Sequence, residues 1–307
     1  MAYCTHKTHK QKESHLFART GLLIALALAA MLVIACSSSK PEMLPVDSAP
    51  ICKEMSKEGA QRNADLKQAA HSNCASVAQQ LLADGYGTEM SRREGKGAFF
   101  AAIRNNSADA AKVLIDHWQD TNELSKIINK PLVSGHRDHP LHIAAGTYSR
   151  AWRESLGEDV GRPDSSRGAL EVAKLLIDHG ADVNGKNREL DQTPLHVLAS
   201  NRGDAVELAK LLIESGANIN AQSHQGRGGA RGMTPLHEVV AAAKEQGQHL
   251  ELTKLLINNG AAINAKTAGG QTPLSMTQHS NAVDIAKLLI ENGANTTGID
   301  LSWMENQ

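Results

Sequence analysis

Apolar positions along the chain follow two patterns. From Gly21 to Ala35 fifteen residues pass without a charge, and most of them are apolar. From about residue 60 the apolar positions instead recur at helical spacing, in pairs of short segments. In one such pair Leu195, Val197, Leu198 and Ala199 supply the apolar side of a short helix. Val206, Ala209, Leu211, Leu212 and Ile213 supply that of a second, with Glu207, Lys210 and Glu214 between them. That is helical spacing with one wet side. Thr193 stands before Pro194, so it can cap a helix whose first residue is proline, and Gly216 stops the second helix. Two helices this short cannot bury enough surface alone, so neighbouring units must stack.

The unit recurs in order. Thr234-Pro-Leu-His237 leads to Leu252–Ala265, and Thr272-Pro-Leu-Ser275 leads to Val283–Asn295. Upstream, His139-Pro-Leu-His142 leads to Leu170–Asn184. Each second segment ends on Leu-Leu-Ile, and three residues later comes Gly-Ala, as in Gly180-Ala181, Gly216-Ala217, Gly260-Ala261 and Gly293-Ala294. The pattern closely resembles the ankyrin repeat. The resemblance implies that the segments after Gly-Ala form hairpin-like fingers, here Asp182–Asp191, Asn218–Met233 and Ala262–Gln271. It also implies that His142, His196 and His237 bond to backbone in their turns.

Two weaker units precede these. Gly97–Ile103 followed by Ala110–Ile115 keeps the spacing but lacks Thr-Pro-Leu-His, and ends on Asp116-His-Trp-Gln119 rather than a Gly-Ala turn. Ala64–Ala70 with Val77–Gly85 reads as a degenerate first unit. Terminal repeats diverge because one side faces solvent. The expected fold is all-α, an ankyrin-like solenoid of about six helix-turn-helix units over 60–298, with loop insertions and a short tail at 299–307.

Departures from regular spacing mark the insertions. A regular unit takes about 33 residues, but His139 to Thr193 spans 54, Thr193 to Thr234 spans 41 and Thr234 to Thr272 spans 38. The largest excess is Thr147–Gly168, and smaller ones lie at Ser200–Ala205, Ala242–His249 and His224–Gly232. Three of the four fall between the two helices of their units and should project from one edge. Tyr148 and Trp152, with Arg150 and Arg153 beside them, have the composition of an interface hot spot. Their alternative role is to cover exposed helix ends. Arg227 and Arg231 sit in a Gly-rich finger that could meet an acidic partner, or simply be solvated.

The uncharged run near the start has basic residues before it, Lys7, Lys10, Lys12 and Arg19. It is short for a membrane span, which needs about 20 residues, and fits the apolar region of an export signal. Its end, Val33-Ile34-Ala35-Cys36, resembles the lipobox of bacterial lipoproteins. That resemblance implies a signal peptide over 1–35, cleavage before Cys36, and lipid on Cys36. Ser37 in second place favours the outer membrane, periplasmic face. An uncleaved anchor, or a non-lipid signal with Cys36 incidental, are the alternatives. Residues 36–59 read as a tether, Pro/Ser-rich at its start. After export Cys52 and Cys74 remain, in a compartment where disulfides persist. They either pair, or stay as two buried small residues.

Composition narrows the function. Aromatic residues are only 3%, low for an enzyme with one thick core, and the net charge of −1 attracts no nucleic acid. The sequence contains no Gly-x-Ser-x-Gly, no His-Glu-x-x-His and no phosphate-cradling Gly-rich motif. The histidines at repeat positions fall into a ladder and read as structural, not as metal ligands. No catalytic, cofactor or metal role is expected. The chain reads as a membrane-anchored, protein-binding module. Exported ankyrin-like lipoproteins resemble immunity proteins that block lipase-type toxins delivered by type VI secretion. An envelope scaffold or stress-protection lipoprotein is the competing reading.

Overall fold

The computed structural model describes residues 50–58, 63–87, 93–120, 124–130, 138–147, 165–188, 190–200, 206–224, 231–243 and 249–304. All belong to one compact unit, Val46–Gln307. Among them every regular element is helical. A first helix, α1 (Pro50–Glu58), precedes six helix pairs. These are α2 (Asn63–His71) with α3 (Ala75–Ala83), α4 (Arg93–Arg104) with α5 (Ala108–Asp120), and α6 (Pro140–Thr147) with α7 (Ser165–Asp178). Then follow α8 (Pro194–Ala199) with α9 (Val206–Glu214), α10 (Pro235–Ala242) with α11 (Leu250–Asn258), and α12 (Pro273–Ser280) with α13 (Val283–Glu291).

The pairs stack in register. First helices pack on first helices, from α2 on α4 to α10 on α12, and second helices on second helices, from α3 on α5 to α11 on α13. The core is a thin layer per repeat, built from the same positions each time. Leu195, Leu236 and Leu274 follow the N1 prolines, and Leu176, Leu212, Leu256 and Leu289 are the middle residues of the Leu-Leu-Ile triplets; all are shielded from solvent. Ala, the smallest side chain with full helix propensity, fills many of the close approaches, as at Ala144, Ala173, Ala209 and Ala286. The array thus needs few aromatics.

The second helices of the last four units, α7, α9, α11 and α13, end in the same way. Gly180, Gly216, Gly260 and Gly293 have φ between 87° and 91°. This left-handed turn admits glycine without strain and closes the helix on its last carbonyls. The chain then enters a finger. Asn187 N–H donates to the Gln192 carbonyl at 2.9 Å, and Ser223 N–H to the Met233 carbonyl at 2.9 Å, so each finger folds back as a narrow hairpin. Neighbouring fingers also bond to each other: His224 N–H donates to the Leu190 carbonyl at 2.9 Å, and Ala268 N–H to the Arg231 carbonyl at 2.8 Å.

The amino-terminal units differ in detail. The second lacks the Gly-Ala turn, and α5 runs on to Asp120. Trp118 plugs the unit, fully buried, with its ring edge-on to Phe99 at 5.8 Å and its Nε1 donating to the Gly87 carbonyl at 3.3 Å. The stretch 36–59, read from sequence as tether, ends in helix: α1 packs on α3. Cys52 and Cys74 are joined by a disulfide, with Cα atoms 5.3 Å apart. A cross-link at that point holds a nine-residue helix that would be marginal by itself.

Candidate protein-binding surface

Two polar ladders hold the fingers in place. The first is made of histidines. At α8, Thr193 N–H donates to His196 Nδ1 at 3.2 Å, and the Thr193 hydroxyl lies 2.9 Å from the same nitrogen. The far nitrogen, Nε2, donates to the Met233 carbonyl of the next finger at 3.1 Å. His237 repeats this on Thr234 and on the Gln271 carbonyl at 3.2 Å. His142 reaches the Gln192 carbonyl at 2.8 Å. Its own N-cap is His139, which stands where the other repeats have Thr. The two rings meet edge-on at 5.2 Å, and neither Nδ1 has a hydrogen-bond partner.

These bonds require neutral imidazole with the proton on Nε2. Burial enforces that state. It pushes His142 and His196 down to about 4, against the opposing pull of the carbonyls they bond. His237 is lowered by burial too. The last repeat has Ser275 in the histidine's place. Thr272 N–H donates to Ser275 Oγ at 2.9 Å, and Ser275 N–H to Thr272 Oγ1 at 3.2 Å. The local capping box is kept, and the Ser275 hydroxyl donates back to the Thr272 carbonyl at 2.9 Å.

The second ladder is made of asparagines. Asn129 Nδ2 donates to the Gly180 carbonyl at 2.9 Å, while its Oδ1 accepts from Asp182 N–H at 2.8 Å. Asn184 does the same to Gly216 and Asn218, Asn220 to Gly260 and Ala262, and Asn264 to Gly293 and Asn295. Each amide fills both its donor and its acceptor role on the first turn of the next finger. Together the ladders fix the fingers as a continuous edge.

Family comparisons fall on the same part of the chain. A model of ankyrin repeats (3 copies) matches residues 165–223 and 221–300, and a model of the single ankyrin repeat matches 136–188. The chain carries ankyrin repeats. The matched stretch runs from α6 to beyond α13, and the helix pairs α2–α3 and α4–α5 extend the ankyrin stack upstream with the same packing. A search of curated proteins finds no match. Ankyrin repeats in general are protein-interaction modules rather than catalysts, so the surface to find is one that meets another protein.

The stacked order places three connections on one edge. α6 ends at Thr147 and α7 starts at Ser165; α8 ends at Ala199 and α9 starts at Val206; α10 ends at Ala242 and α11 starts at Leu250. All three link a first to a second helix, so their described ends lie together at the helix ends away from the fingers. The root of the largest is tightly built. Thr147 Oγ1 donates to Asn106 Oδ1 at 2.7 Å, and both side chains are buried. Gly168 lies so close to Asn106 that a Cβ there would come within 2.4 Å of its carbonyl oxygen. Thr147 is thus the last residue of α6, and Ser165–Gly168 open α7; the excursion itself is 148–164.

Numbered by unit, Asp182–Asp191 is the third finger, Asn218–Met233 the fourth and Ala262–Gln271 the fifth; of the residues singled out from sequence, Arg231 is exposed on the fourth finger, beside the fifth. Cys52 and Cys74 form the disulfide already described. Cys36, Tyr148, Arg150, Trp152, Arg153 and Arg227 lie outside the described residues. Among the described residues, no group of three or more His, Cys, Asp and Glu could hold a metal ion. No helix there is long and apolar enough to cross a membrane.

The asparagine ladder is the feature that sequence reading missed. Its signal was present as Gly-Ala-x-x-Asn, ending at Asn184, Asn220 and Asn264. In the second unit, Ile127-Ile-Asn129 preserves only the last residue of that pattern, and Asn129 still makes both bonds.

Proposed function

We propose that this protein is a lipid-anchored, protein-binding ankyrin module at the periplasmic face of a bacterial outer membrane. We propose further that it is an immunity protein, which blocks a lipase-type toxin delivered by type VI secretion. The observation that carries the reading is the conjunction of Val33-Ile34-Ala35-Cys36 with a rigid ankyrin stack bearing oversized connections on one edge. An inhibitor must reside where the toxin arrives, and a lipid on Cys36 would keep it there. A disulfide at the very start of the folded part suits an oxidising compartment. Tyr148 and Trp152, with Arg150 and Arg153, would reach the toxin from a root held by Asn106 and Thr147.

The experiment is cross-linking in intact envelopes, identification of the captured protein by mass, and an assay of that protein's lipase activity with and without the ankyrin protein. Capture of a secreted lipase that loses activity at one equivalent is the expected result. Capture only of envelope-assembly or stress-response proteins would overturn the immunity reading, and would leave the scaffold role in its place.

A further inference from the structure

We propose that the edge formed by the fourth and fifth fingers docks a carboxylate-rich strip of the protein partner. The proposal rests on the protein-binding reading, and adds the chemistry of what is bound. Between Asn218 and Met233, and between Ala262 and Gln271, the sequence contains no Asp or Glu. Arg231 is exposed on the fourth finger and Lys266 on the fifth. Arg231 is bonded through its carbonyl to Ala268, so the two cationic residues occupy adjacent, paired strands of chain. A third charge joins them from the third finger. Lys186 Nζ reaches across to donate to the Gln222 carbonyl at 3.1 Å, which seats its ammonium on the fourth finger.

The charges on the wall of second helices are arranged differently. There Lys112, Lys210 and Lys254 each meet a carboxylate one turn away on the same helix, Asp116, Glu207 and Glu251, at 2.6–2.7 Å. Among the described residues no carboxylate pairs with Lys186, Arg231 or Lys266. The second helices also carry exposed Glu214 and Glu291. The third finger also carries exposed Asp182 and Asp191, so the positive field is confined to the fourth and fifth fingers and the Lys186 ammonium seated on them, and an acidic partner is steered there rather than to the second helices.

The edge is also preformed. Gly232, at φ +74°, brings the fourth finger within 3.3 Å of the Ala268 nitrogen measured from a would-be Cβ, and the amides of Asn220 and Asn264 pin the bases of the neighbouring turns. Neighbouring units stack at about 8–10 Å, so cations on successive fingers are spaced for carboxylates along an extended or helical strip. Little backbone entropy remains to be lost on binding at these pinned positions.

The test uses the full chain in detergent, a poly-glutamate peptide as probe, and calorimetry at low and moderate salt. Lys186→Ser, Arg231→Ser and Lys266→Ser combined should weaken binding about tenfold. The matched variant Lys210→Ser, Lys254→Ser and Lys287→Ser removes the same charge from the helical wall and should bind as the wild type does. Thermal melts of both variants establish that the fold is kept. Equal weakening in the two variants, or no binding by the wild type, overturns the proposal. So does binding of anionic phosphatidylglycerol vesicles through the same three residues in preference to the peptide, which would assign the edge to the membrane. None of these outcomes depends on whether the natural partner is a lipase. Conversely, a captured partner that still binds the finger variant would leave the protein-binding reading intact and remove only this docking edge.

Discussion

His142, His196 and His237 each serve two repeats at once, receiving or facing the turn of their own and donating to a carbonyl of the next. The arrangement fails when the imidazole is charged, because Nδ1 would then carry a proton where Thr193 or Thr234 already points an N–H. In the unfolded chain these groups titrate near 6.5; in the fold His142 and His196 stay neutral down to about 4. The unfolded state therefore takes up protons first, and stability falls as pH drops from about 6.5 to 4. A shift of this size corresponds to roughly 3 kcal/mol at each buried ring. Urea midpoints at pH 8, 6 and 5 should fall steadily, and His196→Gln should flatten the slope; an unchanged midpoint between pH 8 and 5 would contradict it. That these histidines are structural was legible in Thr-Pro-Leu-His. Their reach was not, since the accepting carbonyls lie 34 to 50 positions away along the chain. Ser275 shows the local half alone, since it keeps the capping box with Thr272 and donates its hydroxyl back to the Thr272 carbonyl.

Helix pairs and fingers are the next scale. Helix positions follow directly from sequence: prolines at N1, Leu-Leu-Ile triplets and Gly-Ala turns mark α6 to α13 closely. The upstream pairs were harder to place, because the second lacks the Gly-Ala turn and α5 runs on past the buried Trp118 to Asp120. The helix α1 was not legible at all; a nine-residue stretch beside a Pro/Ser-rich run has no strong period, and its order comes from contact with α3. Two predictions belong here. Asn220→Ala removes both bonds to the fifth finger. Being exposed, these are worth about 1 kcal/mol together, and amide exchange at Ala262 should quicken while that at Asn218, held by Asn184, does not. Replacing Cys52 and Cys74 by Ala opens a loop of 22 residues, which should cost about 3 kcal/mol. Faster exchange should appear first in α1 and α3, and uniform protection across both helices would show that packing alone holds α1.

At the scale of the whole molecule, under the proposed reading, the stack is a scaffold and the departures from it carry the specificity. The repeats dictate where loops leave, so the edge that bears three oversized connections could be read from spacing alone. Which atoms of those loops meet a partner could not, since the loops obey no period. Under the proposed reading, Cys36→Ser leaves the precursor uncleaved at this site and without lipid; intact mass and detergent-phase partitioning check it, and normal processing would contradict the anchor. The central claim is that binding is separable from the fold it is mounted on. It is tested most directly by titrating the captured partner against Trp152→Ala while following the thermal melt of the same variant. A hot-spot tryptophan is worth 2 kcal/mol or more, about a thirtyfold loss of affinity. The prediction is that loss with an unchanged melt. Unchanged affinity, or a loss that comes with a large drop in melting temperature, would contradict it.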